Sequence, residues 1–150
     1  MIILLAIGLT GVTVIIHAFG TLQAVAHLSR IRQRRLAKAR LFVPECHVVF
    51  IVVVLLILHL LEAAVWATYY RLADLLPDMP TAMYFSLTSY TTVGYGDIVL
   101  PSSRFLGPTE AGVGILMFGW STGIIVTTIT RIYGSRLQVD HDTGRESTTA

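Results

Sequence analysis

Apolar residues in this chain come in long runs that are separated by short polar segments. Three runs, at residues 2–28, 48–70 and 108–132, are long enough to cross a hydrocarbon layer of about 30 Å as helices. A fourth run, at residues 80–90, is too short to span the layer and has the length of a re-entrant helix. The pattern predicts an all-α membrane protein with three transmembrane helices and one short helix that enters the membrane without crossing it.

The composition agrees with this pattern. Hydrophobic residues make up 54% of the chain, charged residues make up only 13%, and the mean hydropathy is +0.70. Few soluble domains have such a composition. We therefore expect neither an enzyme nor a nucleic-acid-binding protein.

Basic residues are concentrated between the first and second apolar runs. They are Arg30, Arg32, Arg34, Arg35, Lys38 and Arg40. Because segments rich in lysine and arginine stay on the cytoplasmic side of a membrane, the linker is expected in the cytoplasm, the amino terminus outside and the carboxyl terminus in the cytoplasm. Such a cluster is also expected to attract anionic lipid.

A short glycine-containing segment follows the fourth run. It reads Thr91, Thr92, Val93, Gly94, Tyr95, Gly96, Asp97. An ordinary strand points successive carbonyl groups to opposite sides, and pointing them at one axis requires unusual backbone dihedrals at alternate residues. Gly94 and Gly96 can take a positive φ without a Cβ penalty. Carbonyl oxygens aligned in this way can replace the hydration shell of a potassium ion.

This segment resembles the selectivity filter of the potassium channel superfamily. The resemblance implies that oxygen atoms of Thr92, Val93, Gly94 and Tyr95 coordinate K⁺ and that Thr91, Gly96 and Asp97 support the filter. Residues 47–133 would then form a pore module of outer helix, pore helix, filter and inner helix. Residues 1–29 would be an additional amino-terminal transmembrane helix, residues 30–46 a basic cytoplasmic linker and residues 134–150 a polar cytoplasmic tail.

The family builds its filter from four strands, and this chain contains the motif once. The resemblance therefore implies a homotetramer that conducts K⁺ passively across the plasma membrane, with no cofactor besides the permeant ion. The alternative is a non-conducting membrane sensor or accessory subunit that retains a filter-like ion-binding site.

Several residues around the filter are candidates for supporting it. Proline is tolerated in the first turn of a helix but not further in, so Pro77, Asp78 and Pro80 predict where the pore helix starts. Tyr84 and Phe85 stand where the family has an aromatic cuff around the filter. The Tyr84 hydroxyl is expected to reach the carboxylate of Asp97, unless Tyr84 only packs and Asp97 is solvated.

One branch of the family has a glutamate four residues before the last filter threonine, where this chain has Thr88. We therefore expect no carboxylate pair behind the filter. On the third long run, Gly119 and Gly123 are candidate gating residues, because glycine either lets a helix bend or lets a neighbouring helix approach closely.

Two ionisable residues, His59 and Glu62, share one face of the second run. Ionisable groups inside a membrane are costly, and they mark candidate functional sites. Three interpretations remain open: a hydrogen-bonded pair that ties this helix to the first helix or to the pore helix, a proton-sensitive gate, or a metal site. A metal site would need a further ligand, for which only His17 on the first run is available.

Aromatic residues close the second run. Trp66, Tyr69 and Tyr70 lie at its predicted outer end. Aromatic side chains at that depth are typical of a belt at the membrane interface.

Overall fold

The structure is a computed structural model that describes residues 2–36, 44–100 and 102–146, with side chains described for 2–30, 46–100 and 102–131. Four helices follow one another: α1 (Ile2–Leu36), α2 (Pro44–Leu72), α3 (Met79–Tyr90) and α4 (Leu106–Glu146). Within those ranges there is no strand. Segments of α1, α2 and α4 are long and apolar enough to cross a membrane, whereas α3 has only 12 residues. The predicted all-α membrane architecture is confirmed.

The long helices extend beyond the apolar runs. The first continues to Leu36, so Arg32, Arg34 and Arg35 belong to its last turns, while Lys38 and Arg40 lie outside the described residues. The fourth continues to Glu146, twelve residues past the predicted start of the tail at residue 134. Hydropathy marks only the membrane-crossing part of a helix, and arginine, glutamine and leucine favour helix beyond it.

The central helix is α2, which contacts all three others, while α4 also contacts α1 and α3. The main core lies between α2, α3 and α4 and includes Ala6 of α1; its largest members are Trp66, Tyr70 and Tyr90. A smaller cluster joins α1 to the first half of α2 through Ala24, with Leu58 packed against it. This arrangement holds α3, which leads into the filter segment, against α2 and α4.

The predicted aromatic belt is wrong for two of its three residues. Trp66 and Tyr70 are fully buried, and only Tyr69 is partly exposed. The Trp66 indole donates from Nε1 to Thr13 Oγ1 over 3.1 Å, and the Tyr70 hydroxyl donates to Glu110. Hydropathy locates the depth of a residue but not the face it occupies, and here polar partners on α1 and α4 keep both rings in the core.

One glycine on α4 permits a close contact with α3. A Cβ atom at Gly114 would lie 1.9 Å from the backbone oxygen of Tyr90. This distance is too short for two non-bonded atoms, so only glycine fits at this position. In contrast, among the described residues, no heavy atom outside the neighbouring turns of α4 lies within 4 Å of the Cβ positions of Gly119 and Gly123. Within one chain, the close approach on α4 therefore falls at Gly114.

Candidate functional site

The helix before the filter segment begins where the prolines predict. Asp78 is its N-cap, with its carboxylate accepting the backbone N–H of Thr81 over 2.8 Å, and Pro80 lies in the first turn. This hydrogen bond lowers the pKa of the Asp78 carboxyl. The helix ends at Tyr90, directly before the filter segment, so the negative end of its dipole points toward that segment.

The backbone of the filter segment alternates. Positive φ angles occur at Thr92 (62°), Gly94 (49°) and Gly96 (77°), which are every second residue. This is the alternation that brings successive carbonyl groups to one side of a chain. The sequence predicts it at the two glycines. The positive φ at Thr92 is an additional finding, and for a β-branched residue it is strained.

Hydrogen bonds to the last turn of α3 hold the first half of this segment. The N–H of Thr92 donates to the Ser89 carbonyl over 2.9 Å, and the N–H of Gly94 donates to the Thr88 carbonyl over 3.0 Å. All residues from 91 to 97 are exposed in the single chain. The segment therefore lies on the surface of the chain, anchored from behind.

The predicted contact between Tyr84 and Asp97 is present. The Tyr84 hydroxyl donates to Asp97 Oδ2 over 2.8 Å, and the ring of Tyr84 stacks on that of Tyr95 with 6.5 Å between centroids. The hydrogen bond raises the pKa of the Tyr84 phenol. The neighbouring Phe85 is buried instead, with its ring edge-on to Tyr70 at 5.2 Å. Tyr84 and Asp97 thus join the middle of α3 to the far end of the filter segment.

Comparison with known proteins agrees with this geometry. Residues 47–131, more than half of the chain, match the family described as "Ion channel". The chain belongs to this ion-channel family. The matched region contains nearly all of α2, the whole of α3, the filter segment and the apolar part of α4, so the channel is a multi-pass membrane protein whose α1 lies outside the family region. No curated protein and no solved structure matches the chain.

A buried carboxylate that the sequence analysis missed joins three helices of the channel. Glu110 near the start of α4 is fully buried. It accepts from the Tyr70 hydroxyl over 2.7 Å and is hydrogen-bonded to the hydroxyl of Ser86, which also lies 2.6 Å from the carbonyl oxygen of Ala63. A buried carboxylate therefore contacts the helix that precedes the filter segment, but it comes from α4. An acidic residue in an apolar run was the available signal, as it was for Glu62.

A second buried polar cluster joins all four helices. Its members are His17, His59, Glu62, Tyr90 and Ser121. The shortest contacts link Glu62 Oε1 to His17 Nδ1 (2.8 Å) and Glu62 Oε2 to the Tyr90 hydroxyl, which donates. The predicted tie of α2 to the first helix or to the pore helix is present and reaches both helices through Glu62. His59 and Glu62 are not bonded directly to each other, because His59 Nδ1 lies 3.7 Å from Glu62 Oε2 and contacts the Tyr90 hydroxyl instead. Sequence reasoning missed the parts played by Tyr90 and Ser121, because neither residue is exceptional in its own segment.

The same side chains could bind a metal ion or bind one another through hydrogen bonds. His17, His59 and Glu62 each offer an atom, and these atoms lie within 4.8 Å of one another, which is close enough for a metal ion. However, the nitrogen and oxygen atoms of all three side chains already have hydrogen-bond partners. We therefore interpret the cluster as a hydrogen-bonded one.

Proposed function

We propose that this ion channel conducts K⁺ selectively through a pore lined by residues 91–97 of several chains. The observation that carries the proposal is the positive φ at Thr92, Gly94 and Gly96, in a segment with the residue order of a potassium filter. Backbone oxygen atoms of Thr92, Val93, Gly94 and Tyr95, with the hydroxyl of Thr92, would replace the water around the ion. Because these ligands are mainly backbone atoms, substitutions there act by changing the shape of the cage.

The proposed assembly is a homotetramer. One chain supplies one filter strand, and a closed cage of carbonyl groups needs several strands around a symmetry axis. The exposed filter segment supports this assembly, as does an open groove of about 320 Å³ behind it, lined in part by Phe85, Ser89 and Pro108. A neighbouring chain would cover this apolar groove.

The proposed orientation places the filter at the outer surface of the plasma membrane. The basic residues at the end of α1 favour the cytoplasm. One further crossing, by α2, then puts the end of α2, with the filter that follows α3, on the outside, and α4 returns the carboxyl terminus to the cytoplasm. In this orientation Gly119 and Gly123, which no other described helix of their own chain contacts at the Cβ position, are available for bending of α4 or for contact with another subunit.

Anionic lipid is the proposed partner at the cytoplasmic end. A groove of about 400 Å³ between α1 and α2 is lined by the polar side chains of Gln23, His27 and Arg30 and by apolar Phe50 and Val54. The exposed side chain of Arg30 can bind the phosphate of a lipid headgroup, and the apolar side chains can contact its acyl chains.

The experiment that separates conduction from the non-conducting alternative is ion efflux. Purified channel is placed in liposomes loaded with K⁺ or with Na⁺, and release of each ion is followed. We expect K⁺ release to exceed Na⁺ release at least about tenfold, as for a filter that prefers K⁺ by 1.4 kcal/mol or more. Protein that is correctly assembled but releases neither ion would favour the sensor or accessory subunit.

A further inference from the structure

The second buried cluster forms a closed ring of hydrogen bonds. Starting from Glu62, the ring runs to His17 (Oε1 to Nδ1, 2.8 Å) and on to Ser121 (Nε2 to Oγ, 3.3 Å). It continues to His59 (Oγ to Nε2, 3.0 Å) and Tyr90 (Nδ1 to hydroxyl, 3.0 Å), and it closes at Glu62 Oε2. Both nitrogen atoms of each histidine take part, so neither ring has a spare atom.

The number of hydrogen atoms in this ring can be counted. Each of the five contacts needs one hydrogen atom between its two heavy atoms. Tyr90 and Ser121 bring one each, the two histidines bring one each when neutral, and an ionised Glu62 brings none. That gives four hydrogen atoms for five contacts, so one pair of acceptors would face each other without a donor.

We propose that the ring holds a fifth proton, which completes all five contacts, and that the completed ring positions the filter through Tyr90. The proton also cancels the charge of Glu62, which is fully buried together with His17. An uncompensated buried charge is strongly unfavourable. The 2.8 Å contact between His17 and Glu62 has the length of a charge-assisted hydrogen bond, and the proton belongs to this pair.

The link to the filter is the position of Tyr90. It is the last residue of α3, its backbone oxygen lies against Gly114, and the filter segment begins at the next residue. When the fifth proton leaves, one contact of the ring is lost and a buried negative charge remains. Both effects loosen the side chain that fixes the end of α3. His17 would thus be a positioning residue of the channel, supplied by the helix outside the family region.

The surroundings of the ring contain few other ionisable groups. From α4 the rings of Phe118 and Trp120 pack against the histidines. The other buried carboxylate among the described side chains, Glu110, is engaged with Tyr70 and Ser86. Among the side chains that the structure describes, no lysine or arginine forms an ion pair with a ring member. The charge balance of the ring is therefore set by its own members.

The decisive variant is Glu62→Gln. A glutamine amide donates one N–H into the ring and accepts with its oxygen, so this variant supplies five hydrogen atoms with both histidines neutral. It should fold, assemble and conduct as the wild type does at pH 7. Glu62→Leu, which removes both ring contacts of this residue, should not. Asp74→Asn, which makes the same change from acid to amide at an exposed residue after α2, is the matched control.

The proton itself is measured by spectroscopy on the liposome-embedded channel at about pH 7.5, where exposed histidines are mostly neutral. We expect either a ¹⁵N signal of one imidazolium per chain or an infrared band of a carboxylic acid, absent in Glu62→Gln and unchanged in Asp74→Asn. Neutral histidines together with an ionised Glu62 would overturn the fifth proton. This measurement does not depend on K⁺ conduction, so it tests the fifth proton even if the proposed function is wrong. The positioning role, in contrast, rests on the proposed function.

The positioning role is tested by the ratio of K⁺ to Na⁺ flux between about pH 6 and pH 9. Because a higher pH removes the proton, the ratio in the wild type should fall toward pH 9 by roughly fivefold, the equilibrium factor of one net hydrogen bond. The ratio in Glu62→Gln should stay constant. A wild-type ratio that does not change with pH, or an equal fall in both proteins, would overturn the positioning role.

Discussion

Single residues decide the shape of the filter segment. Three alternate residues have a positive φ, and two of them are glycines, for which this conformation has no steric cost. The third, Thr92, is β-branched, so the bond from its N–H to the Ser89 carbonyl has to hold it against strain. The backbone conformation of this segment is thus locally unfavourable, and the hydrogen bonds to α3 maintain it.

Substituting either filter glycine tests this requirement. An added Cβ at Gly94 or Gly96 disfavours the positive φ by roughly 1–2 kcal/mol per residue, and a tetramer would carry this cost four times. We expect Gly94→Ala and Gly96→Ala to abolish K⁺ flux in liposomes and to leave assembly unchanged. Gly11→Ala, at an open position on α1, is the control. Undiminished selective flux in a filter variant would refute the assignment.

The hydrogen bond from Tyr84 to Asp97 is expected to keep the far end of the filter in place. Tyr84→Phe removes the donor and should lower the ratio of K⁺ to Na⁺ flux, with Tyr69→Phe on α2 as the control. Because the bond raises the pKa of the Tyr84 phenol, the donor keeps its proton at neutral pH and loses it only as the pH rises through that raised value. The effect of Tyr84→Phe should therefore be the same at pH 6 and pH 8; a difference confined to one end of this range would argue against this role.

At the scale of helices, backbone contact between α3 and α4 sets the position of the filter. Gly114 of α4 lies against the backbone oxygen of Tyr90, and backbone atoms cannot rotate away as a side chain can. The carboxylate of Glu110 joins the same two helices one turn earlier. Movement of α4 would consequently be transmitted to the end of α3.

Gly114→Ala is expected to force α4 away from α3. Overpacking of this kind typically costs about 1–3 kcal/mol, and here it displaces the residue that leads into the filter. The midpoint of thermal unfolding and the K⁺ flux should both fall. Gly112→Ala, two residues earlier and with no atom of another described helix within 4 Å of its Cβ position, should change neither. Equal behaviour of the two variants would mean that this close contact is not maintained in the membrane.

The sequence predicts helices better than it predicts which faces meet. Long apolar runs and the prolines around Asp78 were sufficient for the number of helices and for the start of α3, because these are local signals. The ends of α1 and α4 were not predicted, since hydropathy does not report helix propensity. The burial of Trp66 was not predicted either, since hydropathy does not show which face of a helix packs against its neighbours. The pairing of Glu110 with Ser86 joins residues 24 positions apart, and only the packed structure brings them together.

The whole molecule has exposed surfaces that a single chain does not use. Only 22% of the membrane-crossing window of α4 is buried, and large apolar side chains such as Ile115 and Leu116 are exposed on it. Lipid can cover such surfaces, but lipid cannot complete a ring of carbonyl groups around an ion. This is the physical reason for proposing several chains around one pore.

The mass of the assembled channel tests the tetramer. Four chains of 16.5 kDa give about 66 kDa, and light scattering corrected for detergent should return this value. Val93 and Tyr95 should also become less accessible to labelling at engineered cysteines than they are in the single chain, where both are exposed. A stable monomer or dimer that still conducts would contradict the proposed assembly.

The central claim is selective passage of K⁺, and the most direct test is the reversal potential of single channels in a planar bilayer. With equal concentrations of K⁺ on one side and Na⁺ on the other, a tenfold preference for a monovalent ion displaces this potential by about 59 mV. We predict a displacement at least this large in the direction of K⁺ selectivity. Discrete openings that reverse near zero would show a pore without potassium selectivity and would contradict the account.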